Sequence, residues 1–129
     1  MEAVRIHSAM MRGEMMAGGI VLLRLSGLVT ADAHQRFAAE GCARWGHEAR
    51  GFIVDYRACA LAVDPSKLTA AVFACQPGSP MRRPGAFVCG HATRDALRAH
   101  AQATARAGIW RRTFMDSPSA HAWLVSLPD

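Results

Sequence analysis

The chain has 129 residues, of which 51% are hydrophobic and 19% are charged, and its formal net charge is +5. This length and apolar content predict one domain, residues 1–129, whose core needs neither a metal nor a disulfide, and they exclude a disordered chain. No stretch of about 18 apolar residues lacks a charge, and the basic residues are dispersed along the chain, so we expect neither a membrane span nor a nucleic-acid partner.

The N-terminal part predicts a β-hairpin. Ala3–Met10 alternates apolar and polar residues at its start and is expected to be a strand, whereas Arg12–Gly19 ends in Ala-Gly-Gly and is expected to be a flexible reversal. Ile20–Leu25 is apolar at all but one position, which is typical of a strand near the middle of a sheet that is covered on both sides.

The remainder of the chain alternates helices with strands. Helix starts are indicated at Thr30 and at Asp64-Pro65, because these side-chain oxygens can accept hydrogen bonds from the free amides of a first turn. The predicted helices are Ala31–Ala49, Pro65–Cys75, Thr93–Arg106 and a last one from Ser117-Pro118 to Leu127; the predicted strands are Phe52–Tyr56, Ala86–Cys89 and Ile109–Phe114; the predicted loops include Ser26–Thr30 and Arg57–Val63. This order predicts an α/β fold in which a mixed sheet of about five strands is covered by about four helices.

Three parts of the chain, between Gly19 and Leu127, are similar to parts of a known family. They are Ile20–Gly27 with Thr30, then Phe52–Asp55 followed by Asp64–Leu68, and finally Phe114–Ser117 followed by Ala120–Leu124. These parts resemble the SpoIIAA-like or STAS-type domains. The first is similar to the family's second strand and its entry into the first helix, and the second is similar to the family's strand that ends in Asp and the Asp-Ser-Ser-Gly-Leu helix start that follows. The third is similar to the family's final strand and helix. The resemblance implies a non-catalytic module that binds a regulatory protein partner. Relatives of this fold, the Sec14-like proteins, carry lipids.

The resemblance also implies a phosphorylation switch at the second helix start. The family's phosphorylated serine directly follows the aspartate, whereas Pro65 follows Asp64 here, and this difference argues against the switch. Ser66 comes next, and a phosphate on it would meet the positive end of the helix dipole with Lys67 adjacent. Asp55, Asp64, Ser66 and Lys67 therefore mark a predicted switch and partner surface. The alternative is an ordinary polar first turn.

A second candidate site lies where two predicted strands end. Asp55 and Cys89 end neighbouring strands, and His91 follows closely. Because open α/β sheets bind ligands outside the carboxyl ends of their strands, these three residues mark a candidate ligand crevice. A thiol, an imidazole and a carboxylate could perform nucleophilic chemistry if they converged within hydrogen-bond reach. The alternative is a buried cysteine, a loop-capping aspartate and a solvated histidine, and we expect no catalytic residue.

The sequence predicts no metal site and no cofactor. The remaining histidines show no H-x-x-x-H or Cys/His spacing, and no glycine-rich phosphate loop follows a strand. The four cysteines include no C-x-x-C pair. Dispersed cysteines are typical of free thiols in a reducing compartment, so we expect a cytoplasmic protein.

The methionine-rich segment 10–16 lies on or beside a predicted edge strand. It contains Met10, Met11, Met15 and Met16. Methionine adapts to binding surfaces and an edge strand can pair with a second copy, so one interpretation is a homodimer through the N-terminal hairpin. The other is that these side chains pack under the hairpin or are partly disordered.

These features favour a regulatory or partner-binding domain without chemistry of its own. One alternative is a carrier of a small apolar ligand, which requires a closed, dry pocket between sheet and helices. A third hypothesis, with less support, is an enzyme that depends on Cys89 and His91.

Overall fold

The computed structural model describes residues 2–128 and, for those residues, one sheet with helices on both sides. The strands are β1 (Glu2–Ile6), β2 (Ala9–Met16), β3 (Ile20–Thr30), β4 (Gly51–Ala62), β5 (Gly85–Val88) and β6 (Arg111–Phe114); the helices are α1 (Ala31–Trp45), α2 (Pro65–Phe73), α3 (Arg94–Arg106) and α4 (Ser117–Ser126), with a short 3-10 turn at Pro80–Arg82. None of the helices within residues 2–128 is long and apolar enough to cross a membrane.

The six strands lie in the order β1-β2-β3-β4-β5-β6. Pairs β1–β2 and β2–β3 are antiparallel, and the pairs from β3 to β6 are parallel. The α/β prediction with an antiparallel start is therefore confirmed. The sheet has six strands where about five were expected, because a turn at His7 and Ser8 divides the N-terminal segment into two strands.

The flexible reversal predicted for Arg12–Gly19 is wrong over most of its length. Only residues 17–19 form a turn, and the preceding residues belong to β2. Met11 pairs with Leu25 of β3 and is fully buried. Burial and backbone pairing across the sheet thus determine the structure of a segment whose local composition indicated flexibility. The methionines of segment 10–16 lie on this ordered strand, and Met15 remains exposed.

Two predicted loops are strand extensions. Ser26–Thr30 continues β3 and pairs in parallel with Ala58–Ala62 of β4, after a register shift that follows Arg24. Gly27 has φ +81°, and a Cβ at this position would overlap the Ser8 carbonyl. The glycine therefore permits the close approach of the hairpin turn, which the composition of the segment did not reveal.

Helices α1 and α2 cover one side of the sheet, and each begins at a side-chain cap. The Thr30 hydroxyl accepts a hydrogen bond from the Ala33 amide at 3.2 Å, and Asp64 caps α2 with Pro65 at the first position. Both predicted caps are confirmed. The last helix is capped by Asp116 rather than by Ser117, because its carboxylate accepts from the Ser119 amide at 2.7 Å.

The core consists of two apolar clusters on opposite faces of the sheet. The first, which we call the cavity face, is covered by α1, α2 and α3 and includes Val21, Leu23, Leu25, Phe37, Phe52, Leu68, Phe87 and Leu97. The second, the α4 face, consists of the buried residues Ile20, Leu22, Ile53, Ala86, Val88, Ala120 and Leu124. Alternate residues of β3 point to opposite faces, which explains why this strand is apolar at nearly every position.

Candidate ligand-binding cavity

A cavity of about 450 Å³ lies between the cavity face of the sheet and helices α1 and α2, with side chains of α3 and β6 at its side. Small-molecule sites in proteins commonly have volumes of roughly 300–1,000 Å³. Its buried apolar lining includes Leu23, Leu25, Phe37, Phe52, Leu68 and Phe87. The feature is therefore large enough, and apolar enough, for a small organic ligand.

The cavity exists because several lining positions carry small side chains. Ala38 of α1, Ala71 of α2 and Gly85 of β5 are all in the lining. Protein interiors are normally packed as densely as organic crystals, so larger residues at these positions would fill the space. Solvent reaches the lining at Asp32, Gln35 and Lys67, which lie in the first halves of α1 and α2 and are exposed.

A histidine and a tyrosine form a neutral polar pair in the wall. His34 Nε2 and the Tyr56 hydroxyl are 2.8 Å apart, and the two rings are stacked with centroids at 5.8 Å. Burial lowers the pKa of His34 to about 4 and raises the pKa of Tyr56 far above its usual value. At neutral pH the pair therefore offers hydrogen-bonding groups without a charge.

A second histidine connects α3 with α2 beside the cavity. His100 Nδ1 is 3.0 Å from the Thr69 hydroxyl, which itself donates to the Pro65 carbonyl at 3.1 Å. Because a hydroxyl has a single proton, His100 Nδ1 is the donor in this contact. Burial, then the nearby Arg111 and His34, lower the pKa of His100 to about 4. This histidine is neutral at pH 7.

Arg111 reaches the cavity from the edge strand β6. It pairs with Gly85 of β5, and its side chain crosses that glycine so closely that a Cβ there would lie 3.1 Å from Nε. Nη2 donates to the Met81 carbonyl, and the guanidinium carbon lies 5.7 Å from the centroid of the Phe87 ring. Nε is buried and has no hydrogen-bond partner among the described residues. Burial lowers the pKa of Arg111 to about 10, which leaves it charged at neutral pH.

The other charged groups of the lining are already engaged or lie in solvent. Nη1 of Arg83 donates to the Gly46 carbonyl and, at 2.7 Å, to the Ala49 carbonyl, which holds its loop against the end of α1. Asp32 is exposed and lies 3.6 Å from Arg36 on the same helix. The inner part of the cavity therefore has a positive charge contributed by Arg111.

The structure places Asp55 away from this cavity. Asp55 lies on β4 between Val54 and Tyr56, which line the cavity, so it points to the α4 face. Arg57 donates to both carboxylate oxygens, from Nε at 3.0 Å and from Nη2 at 2.8 Å. Burial alone would raise the pKa of Asp55, but these bonds and the Arg57 amide lower it below its usual value.

The predicted crevice residues do not converge, because Asp55 lies within β4 and points to the α4 face whereas Cys89 belongs to the cavity-face cluster. Asp55 pairs with Val88, so it is a neighbour of Cys89, whose thiol is buried and donates to the Phe87 carbonyl at 3.5 Å. Burial raises the pKa of Cys89 to about 11. His91 is exposed in the turn that follows, and the hydrogen bonds of residues 2–128 do not connect it with Cys89.

The predicted switch residues are divided between two places. The Asp64 carboxylate accepts from the Ser66 amide at 2.9 Å and from its hydroxyl at 2.8 Å, and Ser66 and Lys67 are exposed on the first turn of α2. Asp55 lies on the other side of the sheet. Ser66 also borders a shallow apolar groove with Phe73 between α2 and α3.

The cavity residues with polar side chains were missed by the sequence interpretation. Arg111 is one of the dispersed basic residues of the sequence, and His34, Tyr56 and His100 belong to no motif. The arginine occupies a strand position that pairs with a glycine. This pairing would have indicated the site, but it can be recognised only when the strand register is known. Within residues 2–128, no group of three or more His, Cys, Asp or Glu side chains is placed to hold a metal ion.

Comparisons with known proteins show the fold. No protein-family profile and no curated protein matches the chain. A protein of the DUF3478 family with a SpoIIAA-like fold, from Shewanella loihica PV-4, is similar with a TM-score of 0.55 and 12% identity over 95% of this chain and 98% of its own. The unphosphorylated anti-sigma factor antagonist SpoIIAA is similar with a TM-score of 0.53 and 16% identity over 91% of this chain and 99% of its own. The chain therefore has a SpoIIAA-like, STAS-type fold, as the resemblance implied.

Proposed function

We propose that this protein is a non-catalytic binding module that holds a small, largely apolar molecule in the cavity between its sheet and helices α1 and α2. The observation that carries the proposal is the cavity itself, about 450 Å³ with a mainly apolar lining. The cavity opens to solvent at Asp32, Gln35 and Lys67, so its apolar lining is left in contact with water, which is unfavourable. A ligand that fills the space removes that cost, so binding stabilises the fold.

The chemistry of the polar groups supports binding rather than catalysis. Cys89 is protonated at neutral pH because its pKa is raised to about 11, and a protonated thiol is a poor nucleophile. His34 and His100 face the cavity as neutral groups whose pKa values of about 4 lie well below the range suited to proton transfer at neutral pH. Both orient a ligand by hydrogen bonds. The four free cysteines support a cytoplasmic location.

A second candidate function is regulation of a protein partner through the outer surface of α2. It is favoured by the similarity to SpoIIAA, an anti-sigma factor antagonist, and by the exposed Ser66 beside the groove that contains Phe73. Because α2 also forms a wall of the cavity, this surface would respond to the ligand. Phosphorylation of Ser66 and a homodimer through the N-terminal hairpin stay predictions.

The experiment for the cavity uses decan-1-ol, a neutral apolar probe, and measures the melting temperature and the heat of binding. At about 100 times its dissociation constant the probe should raise the melting temperature by roughly 5–10 °C. Native mass spectrometry of protein from its own host, followed by gentle denaturation, should show a mass that is released on unfolding.

Two neighbouring alanines of α1 provide matched variants. Ala38 lines the cavity, whereas Ala39 is exposed. Ala38→Phe should abolish decan-1-ol binding by filling the space, and Ala39→Phe should leave it unchanged. Equal binding by both variants, or no binding by the unmodified protein, would refute the cavity as the ligand site.

A further inference from the structure

Arg111 is a partly buried cation whose Nε is fully buried, and no described side chain supplies a counter-charge. Its side chain lies across Gly85 and against the Phe87 ring, in the lining of the cavity. Its guanidinium makes a single hydrogen bond with the described residues, from Nη2 to the Met81 carbonyl, and no ion pair with any of them. Buried charges in proteins are normally paired, because an unpaired one loses the solvation that water would provide.

The groups around Arg111 do not supply the missing anion. Tyr56 and the thiols of Cys42 and Cys75 are the groups whose negative form would favour the charged guanidinium. Burial raises the pKa of Tyr56 and of Cys42, so both are neutral at pH 7. The acidic member of the lining, Asp32, is exposed on α1 and lies near Arg36. The positive charge of Arg111 therefore favours the binding of a negative group in the space beside it.

We propose that the ligand of this cavity is an amphiphile with one carboxylate, in which the carboxylate binds the Arg111 guanidinium and the apolar body occupies the space between α1, α2 and the sheet. A guanidinium presents N–H donors in a planar fork that matches the two oxygens of a carboxylate. Nη2 is bonded to the Met81 carbonyl and Nε is fully buried over Gly85, whereas Nη1 makes no hydrogen bond with the described residues and is not fully buried, so its N–H groups are the donors that a carboxylate can reach. This inference rests on the proposed function, since it identifies the chemical class that the same cavity binds.

A single negative charge fits the cavity better than a doubly charged head group. Arg111 is the lining cation that lies against the apolar Phe87 ring, whereas Nη1 of Arg83 is turned to the Gly46 and Ala49 carbonyls and Lys67 is exposed. The uncharged pair of His34 and Tyr56 contributes hydrogen bonds without further charge. A carboxylate therefore balances Arg111, whereas a dianion would bring a second charge into an apolar space.

The test compares decanoate with decan-1-ol, which share an alkyl chain and differ in the head group. Titration calorimetry of the unmodified protein at pH 7.5 should show decanoate binding more tightly, on the order of tenfold to a hundredfold, because charge-assisted hydrogen bonds replace neutral ones. Equal affinities for the two probes would overturn the carboxylate assignment and leave the apolar cavity proposal standing. If neither probe binds, both proposals fail together.

Adjacent arginines of β6 provide the matched variants. Arg112 points to the other face, where it lies 5.3 Å from the centroid of the Phe114 ring. Arg111→Met should abolish the preference, so that decanoate and decan-1-ol bind the variant with similar affinities, while Arg112→Met should keep the preference. Arg111→Lys keeps the charge without the planar fork and should retain part of it. Retention of the full preference by Arg111→Met would refute the proposal.

Discussion

Strand β3 contributes alternate side chains to both faces of the sheet, and the two faces are packed differently. Leu22 lies on the α4 face in a cluster covered mainly by one helix. Leu25, on the same strand, lies on the cavity face and contributes to the cavity lining. Each leucine is 2% exposed, so burial alone does not distinguish them. The difference is that Leu25 borders the cavity, whereas Leu22 lies in a cluster that contributes no residue to the cavity lining.

The cavity occupies only part of the cavity face, and the packing beside it is tight. On β2 of the same face, a Cβ at Gly13 would overlap the Trp45 ring of α1. The helix therefore rests directly on the sheet at its C-terminal end. Elsewhere on this face small residues such as Ala38 leave the space open, and the same lining contains His34 near the start of α1 and Arg111 at the start of β6. Buried polar groups beside an apolar space are the usual composition of a ligand site.

The largest expected effect comes from truncating the two leucines. Leu22→Ala should lower the free energy of unfolding by about 3–5 kcal/mol, because it creates a new void in a filled cluster. Leu25→Ala should lower it by about 2–3 kcal/mol, because it enlarges a space whose lining already lacks contacts. Urea unfolding at pH 7 measures both. Losses that agree within about 0.5 kcal/mol would show that the cavity face is packed as fully as the α4 face.

A second prediction concerns the pH dependence that the cavity histidines introduce. Burial lowers the pKa of His34 and of His100 from 6.5 to about 4 in the folded protein. Between these values the unfolded chain binds more protons, so stability is fully present above about pH 6.5 and declines as the pH falls toward 4. We expect a loss on the order of 2–3 kcal/mol for each of the two histidines across this window, measured by urea unfolding at a series of pH values.

Variants that do not titrate isolate this effect. His34→Gln combined with His100→Gln should flatten the curve between pH 6.5 and 5. His91→Gln removes an exposed histidine and should leave the slope unchanged. Asp55, with its lowered pKa, contributes stability that is lost only below about its ordinary value of 3.8, so it does not obscure the window. An unchanged slope in the double variant would contradict the neutral state assigned to these histidines.

The fold was predictable because its signals are local. Alternating strands and helices, the apolar run of β3 and the caps at Thr30 and Asp64 all follow from spacing and side-chain chemistry. The parts that were not predicted depend on pairing between distant segments. Ser26–Thr30 reads as a loop by composition, yet it has a partner strand in β4 that satisfies its backbone. Arg12–Gly19 was misassigned for the same reason.

The sequence indicated a cavity only as a requirement of the carrier hypothesis, which needed a closed, dry pocket, and the cavity found is apolar but opens to solvent at Asp32, Gln35 and Lys67. Its polar groups come from α1, β4, α3 and β6, and no spacing along the chain links His34, Tyr56, His100 and Arg111. A cavity is missing volume, which follows from how helices settle on a sheet rather than from any motif. Of the candidate residues that the sequence did indicate, Cys89 follows the end of β5 and Ser66 lies in the first turn of α2, where patterns are easiest to recognise, whereas Asp55, predicted at a strand end, lies within β4.

We expect Gly85→Ala to cause the smallest change in stability. The same variant should cause the most selective change in binding. The added methyl would lie 3.0 Å from Cδ and 3.1 Å from Nε of Arg111, so the guanidinium must shift by a few tenths of an ångström. Alanine is favoured over glycine within a strand by roughly 0.5–1 kcal/mol, which offsets the crowding, so the net change should stay within about 1 kcal/mol. Decanoate affinity should fall while decan-1-ol affinity is kept, because the displaced group binds only the carboxylate.

A matched glycine tests whether this effect belongs to Arg111. At Gly90, which follows β5 and the adjoining Cys89, an added Cβ would have nothing within 4 Å. Gly90→Ala should therefore leave both affinities unchanged in the same calorimetric titrations. If Gly85→Ala weakens both probes equally, the methyl acts by reducing the cavity volume, and Arg111 does not select the ligand. If it lowers the affinity for decanoate alone, the cavity face is also the face that binds the carboxylate.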